Sequence, residues 1–551
     1  MTTNASGTAS KPDDYADVLP LLALKVAPRQ FDVNYRFTSV SIRDQMVRAQ
    51  MLVKTLKDTG ALDDNPASGT RKESSGRVDL LICGAGPAGI AAATEAERLG
   101  MSFVLLDRGK SFPSGVLNTN AVRYVSTAMY EWPHSVHDRH EFPLQTPMLL
   151  GNSHGTLPAL NLSIKRPLTI HEFCMTLEKR IGPKLKKWGS NFDPASGALS
   201  GNAYIPNACL DNLSKRRLRA MLRSGHSMNG QSDPSIQLPG LAFANLIAPA
   251  QGAPTAKHAF VRDKDNPTKQ FYERIGPFQF AYVIYAAGFG SESKKYAKDK
   301  WARSHLFVGF WDKDTIQYPR LGFPPGAKPK VVILGAGDGA LQDALRCLVD
   351  PNKARHPLDI WHRLMVDPFG RDLNRSRHVQ VALREIAACD AYTTSGAIWT
   401  ADKHIYESLD RRFREIAREL AGHHGARLRS AFRLLLRPDV STVTIVTLKG
   451  YFTKAYALNR FLILLFDELF RHGVHGLPQL AIATGEVDRF TVSRSNKRGG
   501  VVRLLDGTRI KGDLVIIRGG LESRGQLIGI KAHDTARAEL GRIPPPIRPI
   551  G

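Results

Sequence analysis

The chain has 551 residues, more than one ordinary domain of about 100–200 residues accommodates, so roughly three units are expected. Apolar residues make up 42% and charged residues 23%, a globular balance that excludes a disordered or fibrous chain. Lys and Arg number 76 against 51 Asp and Glu, and the resulting net charge of +25 attracts anionic cofactors and substrates and raises nucleic acid as a partner. Part of that excess is local, in Lys165, Arg166, Lys179, Arg180, Lys184, Lys186 and Lys187 and then in Lys215, Arg216, Arg217, Arg219 and Arg223. No aromatic-interleaved RNA motif accompanies it, so a solvated basic face is the favoured reading and a nucleic-acid surface the lesser one.

Residues 1–77 read as an N-terminal extension and linker, with a helix near Ile42 to Lys57 and then a Gly/Pro/Ser-rich run, DTGALDDNPASGTRKESSG. The start has neither a basic n-region nor an apolar h-region. The five scattered cysteines form no CxxC pair, which suits a reducing compartment, and a cytoplasmic protein is expected. The apolar run FLILLF, Phe461 to Phe466, is far short of the roughly 20 residues a membrane helix needs.

The first chemical signal is VDLLICGAGPAGIAAATEAERLG, from Val78 to Gly100. A buried strand ends at Gly84, Gly86 and Gly89, and a small-residue helix opens through Pro87 and Ala88. Glycine at the first position permits the tight turn, at the second lets backbone approach a pyrophosphate, and at the third lets helix and strand pack closely. The next strand, FVLLD, ends at Asp107, where an acid accepts hydrogen bonds from a ribose; Arg108 follows it. The loop YEWPHSVHDRHEFP sets His134, His137 and His140 three residues apart. No Cys or carboxylate cluster completes a metal site there, so no metal is expected. Between about 190 and 270 the sequence has no sustained period and reads as loops and short strands. FAYVIYAAGFG is again a buried strand, ending in glycine at Gly288.

A second strand, glycine loop and helix begins at Lys330 with KVVILGAGDGALQDAL. Its loop residues are Gly335, Gly337, Asp338 and Gly339, with Ala340 in the third glycine's place. LDIWHR is expected as the next strand; its end at His362 and Arg363 is cationic, which favours a 2′-phosphate and therefore NADPH over NADH. Helices are expected between 401 and 475, with AGHHGA, containing His423 and His424, as a turn between two of them. Short strands then return and finish with GDLVIIRGG. GxSxG, HExxH and P-loop motifs are absent.

Four pieces stand in order: GAGPAG with Asp107, the AAGFG strand end, GAGDGA, and a DxVIxxG strand from Asp513 to Gly519. In this the chain resembles the two-dinucleotide-binding-domain flavoproteins, which include flavin-containing monooxygenases, N-hydroxylating monooxygenases and thioredoxin-reductase-like enzymes. The resemblance covers about residues 78–520. It implies an α/β fold in which an FAD-binding Rossmann-like domain (78–295) holds an inserted NAD(P)-binding Rossmann-like domain with a helical segment (325–475), and 476–551 return to the FAD domain. It implies FAD on the first glycine loop, NADPH on the second, the aromatic and histidine-rich loop with Trp132 and His134 lining the flavin or substrate cavity, and an oxidoreductase of the monooxygenase type acting on a small molecule. FVGFWDKDTIQYP, before the second loop, lacks the histidine of the monooxygenase fingerprint, and the missing CxxC excludes an adjacent redox dithiol. No side chain stands out as catalytic. The alternatives are a flavoprotein acting on tRNA, suggested by the charge, and a non-catalytic sensor of reduced nucleotide, suggested by the missing catalytic signature.

Overall fold

The computed structural model describes residues 24–33, 42–58, 77–133, 141–142, 162–210, 247–249, 279–288 and 309–519, with short gaps inside several of these ranges. The architecture is α/β, with two mainly parallel sheets that share one connectivity. In the first sheet the strands are β1 (Lys25–Ala27), β2 (Gln30–Asp32), β3 (Arg77–Cys83), β4 (Phe103–Leu106), β5 (Ala203–Ile205) and β6 (Gln279–Tyr285). Their spatial order is β1-β2-β6-β3-β4-β5, and every neighbouring pair except β1 and β2 is parallel. Helix α1 (Ile42–Asp58) lies against α2 (Pro87–Arg98), which opens directly from the first glycine loop. That contact explains the composition of α2: the sheet buries one side and α1 covers the other, so Ile90 to Ala93 and Ala96 are all fully buried. The described residues of 24–58 are thus part of the first unit's core, with Leu24, Phe31, Met46, Leu52 and Leu56 buried in it, and not an extension ahead of it.

The second sheet contains β7 (Lys330–Leu334), β8 (Thr442–Thr447) and β9 (Gln479–Thr484). A three-stranded antiparallel meander, β10 (Val487–Val492), β11 (Gly500–Leu504) and β12 (Arg509–Gly512), then leads to the last strand, β13 (Leu514–Ile517). The order β9-β8-β7-β13, parallel throughout, puts the glycine strand between the second and last strands. The first sheet does the same with β3 between β4 and β6. The strand DLVII therefore does not return to the first unit: Val331 pairs with Leu514, Leu334 pairs with Ile517, and the Lys330 amide donates to Asp513 Oδ2 at 2.9 Å. The described residues of 476–519 belong to the second unit.

Helix α3 (Ile170–Ser190) opens on a Thr169–Glu172 capping box and buries Ile170, Phe173, Leu177, Ile181, Leu185 and Trp188. The second unit's helices are α4 (Asp338–Leu348), α5 (Pro357–Met365), α6 (Arg377–Thr394), α7 (Lys403–Leu435) and α8 (Ala457–Leu469). Two sequence expectations fail here. LDIWHR is not a strand: it forms most of α5, which has Pro357 in its first turn and His356 as its N-cap. AGHHGA is not a turn: it lies inside the 33-residue helix α7, where the His423 ring stacks on His378 at 3.6 Å. FLILLF is the buried centre of α8, and no described helix is long and apolar enough to cross a membrane.

Candidate functional site

The first glycine loop has the geometry its sequence predicts. Gly84 sits at φ 113°, a conformation that favours glycine, and its amide donates to the Leu106 carbonyl at 2.8 Å, tying the loop to the end of β4. A Cβ on Gly89 would lie 1.7 Å from the Gly84 carbonyl oxygen, so the third glycine is required for the helix to meet the strand. Gly86 differs. Its backbone, φ −72° and ψ −177°, is ordinary extended chain, and a Cβ there would meet none of the described residues within 4 Å. Space is therefore open at the N-terminus of α2, where amides and helix dipole favour an anion.

Asp107 lies at the end of β4, 5% exposed. Burial raises its carboxyl above the usual range, and hydrogen bonds from Ser114, the Gly109 amide, Tyr204 and the Ala85 amide offset part of that rise. Pro87 and Ala88 form the first turn of α2, and Gly288, at φ 76°, follows the end of β6 beside the same loop. The β6 end is held there by the Ala286 amide donating to the Cys83 carbonyl at 2.9 Å. Arg108 and His134 lie outside the described residues.

The second loop has the same backbone but different surroundings. Gly335 has φ 145°, and a Cβ there would lie 2.4 Å from the Arg518 carbonyl oxygen. Gly337, at φ −93° and ψ −179°, caps α4 as Gly86 caps α2. A Cβ on Gly337, however, would face the Lys454 carbonyl oxygen at 3.5 Å and Thr453 Oγ1 at 3.6 Å. The Asp338 amide donates to that Lys454 carbonyl at 2.9 Å, and the Thr453 amide donates to the Ala336 carbonyl at 2.8 Å. The Asp338 carboxylate accepts from the Tyr456 amide at 2.9 Å, Asn459 Nδ2 at 2.7 Å and Gln342 Nε2 at 2.7 Å. Burial raises this carboxyl, partly against those same hydrogen bonds. On the other side, a Cβ on Gly339 would lie 3.1 Å from the Phe310 ring, and Ala340 is fully buried.

The structure separates Arg363 from this loop. It lies on α5, which follows the far end of α4, and the 11 residues of α4 span roughly 16 Å. There Arg363 lines an open groove of about 830 Å³ with Lys353, Arg355 and His362, over Leu434 and Leu435. The residue that does end the strand beside β7 is Thr447, followed by the exposed Leu448 and Lys449. Trp132 is buried, with its ring 5.2 Å from Trp361 and 5.9 Å from Phe461, so it packs the first unit onto α5 and α8. Among the described residues no cluster of His, Cys, Asp or Glu could hold a metal. Of the basic residues, Lys179, Arg180, Lys186 and Lys187 are exposed on α3, and Lys184 pairs with Glu97 on α2.

Sequence reasoning missed a buried ion cluster joining the units. Asp343, on α4 and fully buried, accepts Arg123 at 2.6 Å, Arg518 at 2.7 Å and Arg346 at 3.0 Å. Burial alone would raise its carboxyl, but the three guanidinium groups outweigh that and hold it well below the usual range. Arg123 belongs to the first unit and also donates to the Phe310 carbonyl at 2.8 Å. The available signal was Asp343 itself, an acid on the same helix face as the buried Ala340, Leu341, Ala344, Leu345 and Cys347.

No protein-family model and no curated protein sequence matches the chain. Among solved structures, the chain is similar to the bacillithiol disulfide reductase Bdr (YpdA) from Staphylococcus aureus, at 11% identity and TM-score 0.35, over 82% of this chain and 79% of that one. An oxidized steroid monooxygenase bound to NADP aligns at 12% identity and TM-score 0.32, over 82% and 72% of the two chains. A cyclohexanone monooxygenase bound to epsilon-caprolactone aligns at 14% identity and TM-score 0.30, over 82% and 74%.

Proposed function

We propose that the chain is an FAD-dependent oxidoreductase of the monooxygenase type, with NADPH as its electron donor and a small molecule as its substrate. The observation that carries this reading is the open space at Gly86 beside a buried carboxylate, Asp107, at the end of the adjoining strand. The α2 N-terminus would hold the pyrophosphate, the absent side chain at Gly86 would let it approach, and Asp107 would accept the ribose hydroxyls. When bound, FAD supplies the redox chemistry, taking a hydride from reduced nicotinamide and passing electrons to oxygen or the substrate. The protein's part is to bind, orient and shield. For the 2′-phosphate, Lys449 is favoured over Arg363, because it follows the strand beside the second glycine loop while Arg363 does not.

The test is a pair of glycine variants. Gly86→Val adds a side chain to space that the folded chain leaves open, so the variant is expected to fold and to purify without flavin absorbance. Gly89→Ala forces a Cβ against the Gly84 carbonyl and is expected to unfold the first unit. A yellow Gly86→Val protein with normal FAD occupancy would refute the assignment.

A further inference from the structure

We propose that Thr453 to Tyr456 form a strap that holds the second nucleotide site shut until a dinucleotide displaces it. The inference rests on the reading of the second glycine loop as the NADPH site and names how that site is regulated. The Lys454 carbonyl accepts the Asp338 amide, the first N–H of α4, at 2.9 Å. In a nucleotide complex that amide would point at a phosphate oxygen. The peptide at 453–454 thus takes the ligand's place, and the Thr453 amide fastens it to the Ala336 carbonyl. Further along, the Tyr456 amide and Asn459 Nδ2 both donate to the Asp338 carboxylate. Behind the strap, Asp410 pairs with Arg460 and accepts the Phe452 amide at 2.7 Å, while Arg460 donates to the Thr453 carbonyl.

Glycine at 337 separates a gate from a permanent plug. Its φ of −93° is open to any residue, and a Cβ there would touch the strap only at 3.5 and 3.6 Å, ordinary van der Waals contact. The closed arrangement therefore has no need of glycine. The need arises when something approaches the backbone more closely than the strap does, as a pyrophosphate must.

Two variants loosen the strap without altering the glycine loop. Tyr456→Pro removes the amide that Asp338 accepts at a position whose φ, −64°, already suits proline. Asn459→Leu removes the second donor at similar volume. If a closed strap lowers apparent affinity by the fraction of open protein, loosening it should tighten NADPH binding by about tenfold or more. A purely structural role for these residues would weaken binding or leave it unchanged, so the sign decides. Hydrogen exchange of the unmutated protein supplies a second readout: the segment 451–456 should be protected without nucleotide and lose protection with saturating NADPH. Unchanged affinity in both variants together with unchanged protection overturns the strap while leaving NADPH binding intact. If NADPH binds neither the unmutated protein nor the variants while flavin remains bound, both the strap and the donor reading fall, and the FAD assignment stands.

Discussion

His356 should make the fold sensitive to mild acid. It is 2% exposed, and its Nδ1 accepts the Leu358 amide at 3.1 Å as the N-cap of α5. Its Nε2 is buried with no hydrogen-bond partner among the described residues, and the Tyr124 ring stands edge-on at 5.3 Å. Burial, with a smaller contribution from His362, holds the imidazole down to about 3, and Arg123, Arg346 and Arg355 line the small cavity beside it. An unfolded chain protonates this histidine near pH 6.5, whereas the folded chain resists it. Stability from this source is therefore present above about pH 6.5 and is lost as pH falls toward about 3. Between pH 7.5 and 5.5 the loss is about 1.4 kcal/mol, equivalent to about 3–6 °C in Tm for a unit of some 200 residues. His356→Asn keeps a strong capping oxygen and removes the titration, so its unfolding temperature, followed by calorimetry at the two pH values, should fall less than that of the unmutated protein by this amount. Equal falls in both proteins would refute the reasoning, because the remaining titrating groups are common to both.

The same method should give a pH-independent deficit over that range for Asp343→Asn. Leaving Arg123, Arg346 and Arg518 without their shared carboxylate should cost about 3–5 kcal/mol. Because the native carboxyl lies below the unfolded value of about 3.9, that contribution is intact above about pH 4 and is lost only as pH falls below it, so the deficit should be constant from pH 5 to 8. A deficit under about 1 kcal/mol would show that the cluster joins the units only weakly. For the electron donor, Lys449→Ala should weaken NADPH by roughly tenfold and leave NADH unchanged, as expected for loss of one charge-assisted contact, while Arg363→Ala should alter neither. Stopped-flow flavin reduction with each nucleotide decides this, and a selective NADPH loss in Arg363→Ala alone would reverse the assignment.

What could be read from the sequence was local. The first glycine loop follows from strict spacing, and Asp107 follows because the strand it ends pairs directly with the glycine strand, Cys83 beside Leu106. LDIWHR was ambiguous by composition, since Ile and Trp suit strands as well as helices. The deciding signals were Pro357 in the first turn, His356 with Asp359 as a capping box, and buried Leu358, Trp361, Leu364 and Met365 at helical spacing. AGHHGA suggested a break because two glycines weaken a helix, yet Leu420, Leu428, Phe432 and Leu435 on one side of α7 are buried and hold it continuous. DLVII was legible as a strand, but its partner was not. A run apolar on both faces carries no mark of which sheet it joins, and only the register with β7 shows it.

The buried ion cluster makes the two candidate sites depend on each other, because it ties the first unit to the helix that opens the second glycine loop. Helix α4 begins at the second glycine loop and carries Asp343 on its buried side, so the element that shapes that loop is also the one Arg123 grips from the first unit. Arg518, at the end of β13, reaches the same carboxylate, while its carbonyl closes over Gly335 and its side chain lies against Gly339. Any shift of the first unit against α4 therefore acts on the residues that surround the second loop. Trp132, packed on Trp361 and Phe461, adds an apolar contact to the same junction, and Phe461 lies on α8, the helix that the strap leads into. Opening the strap and holding the two units in register thus draw on one connected set of side chains, and substitutions at Asp343 should change NADPH affinity as well as stability.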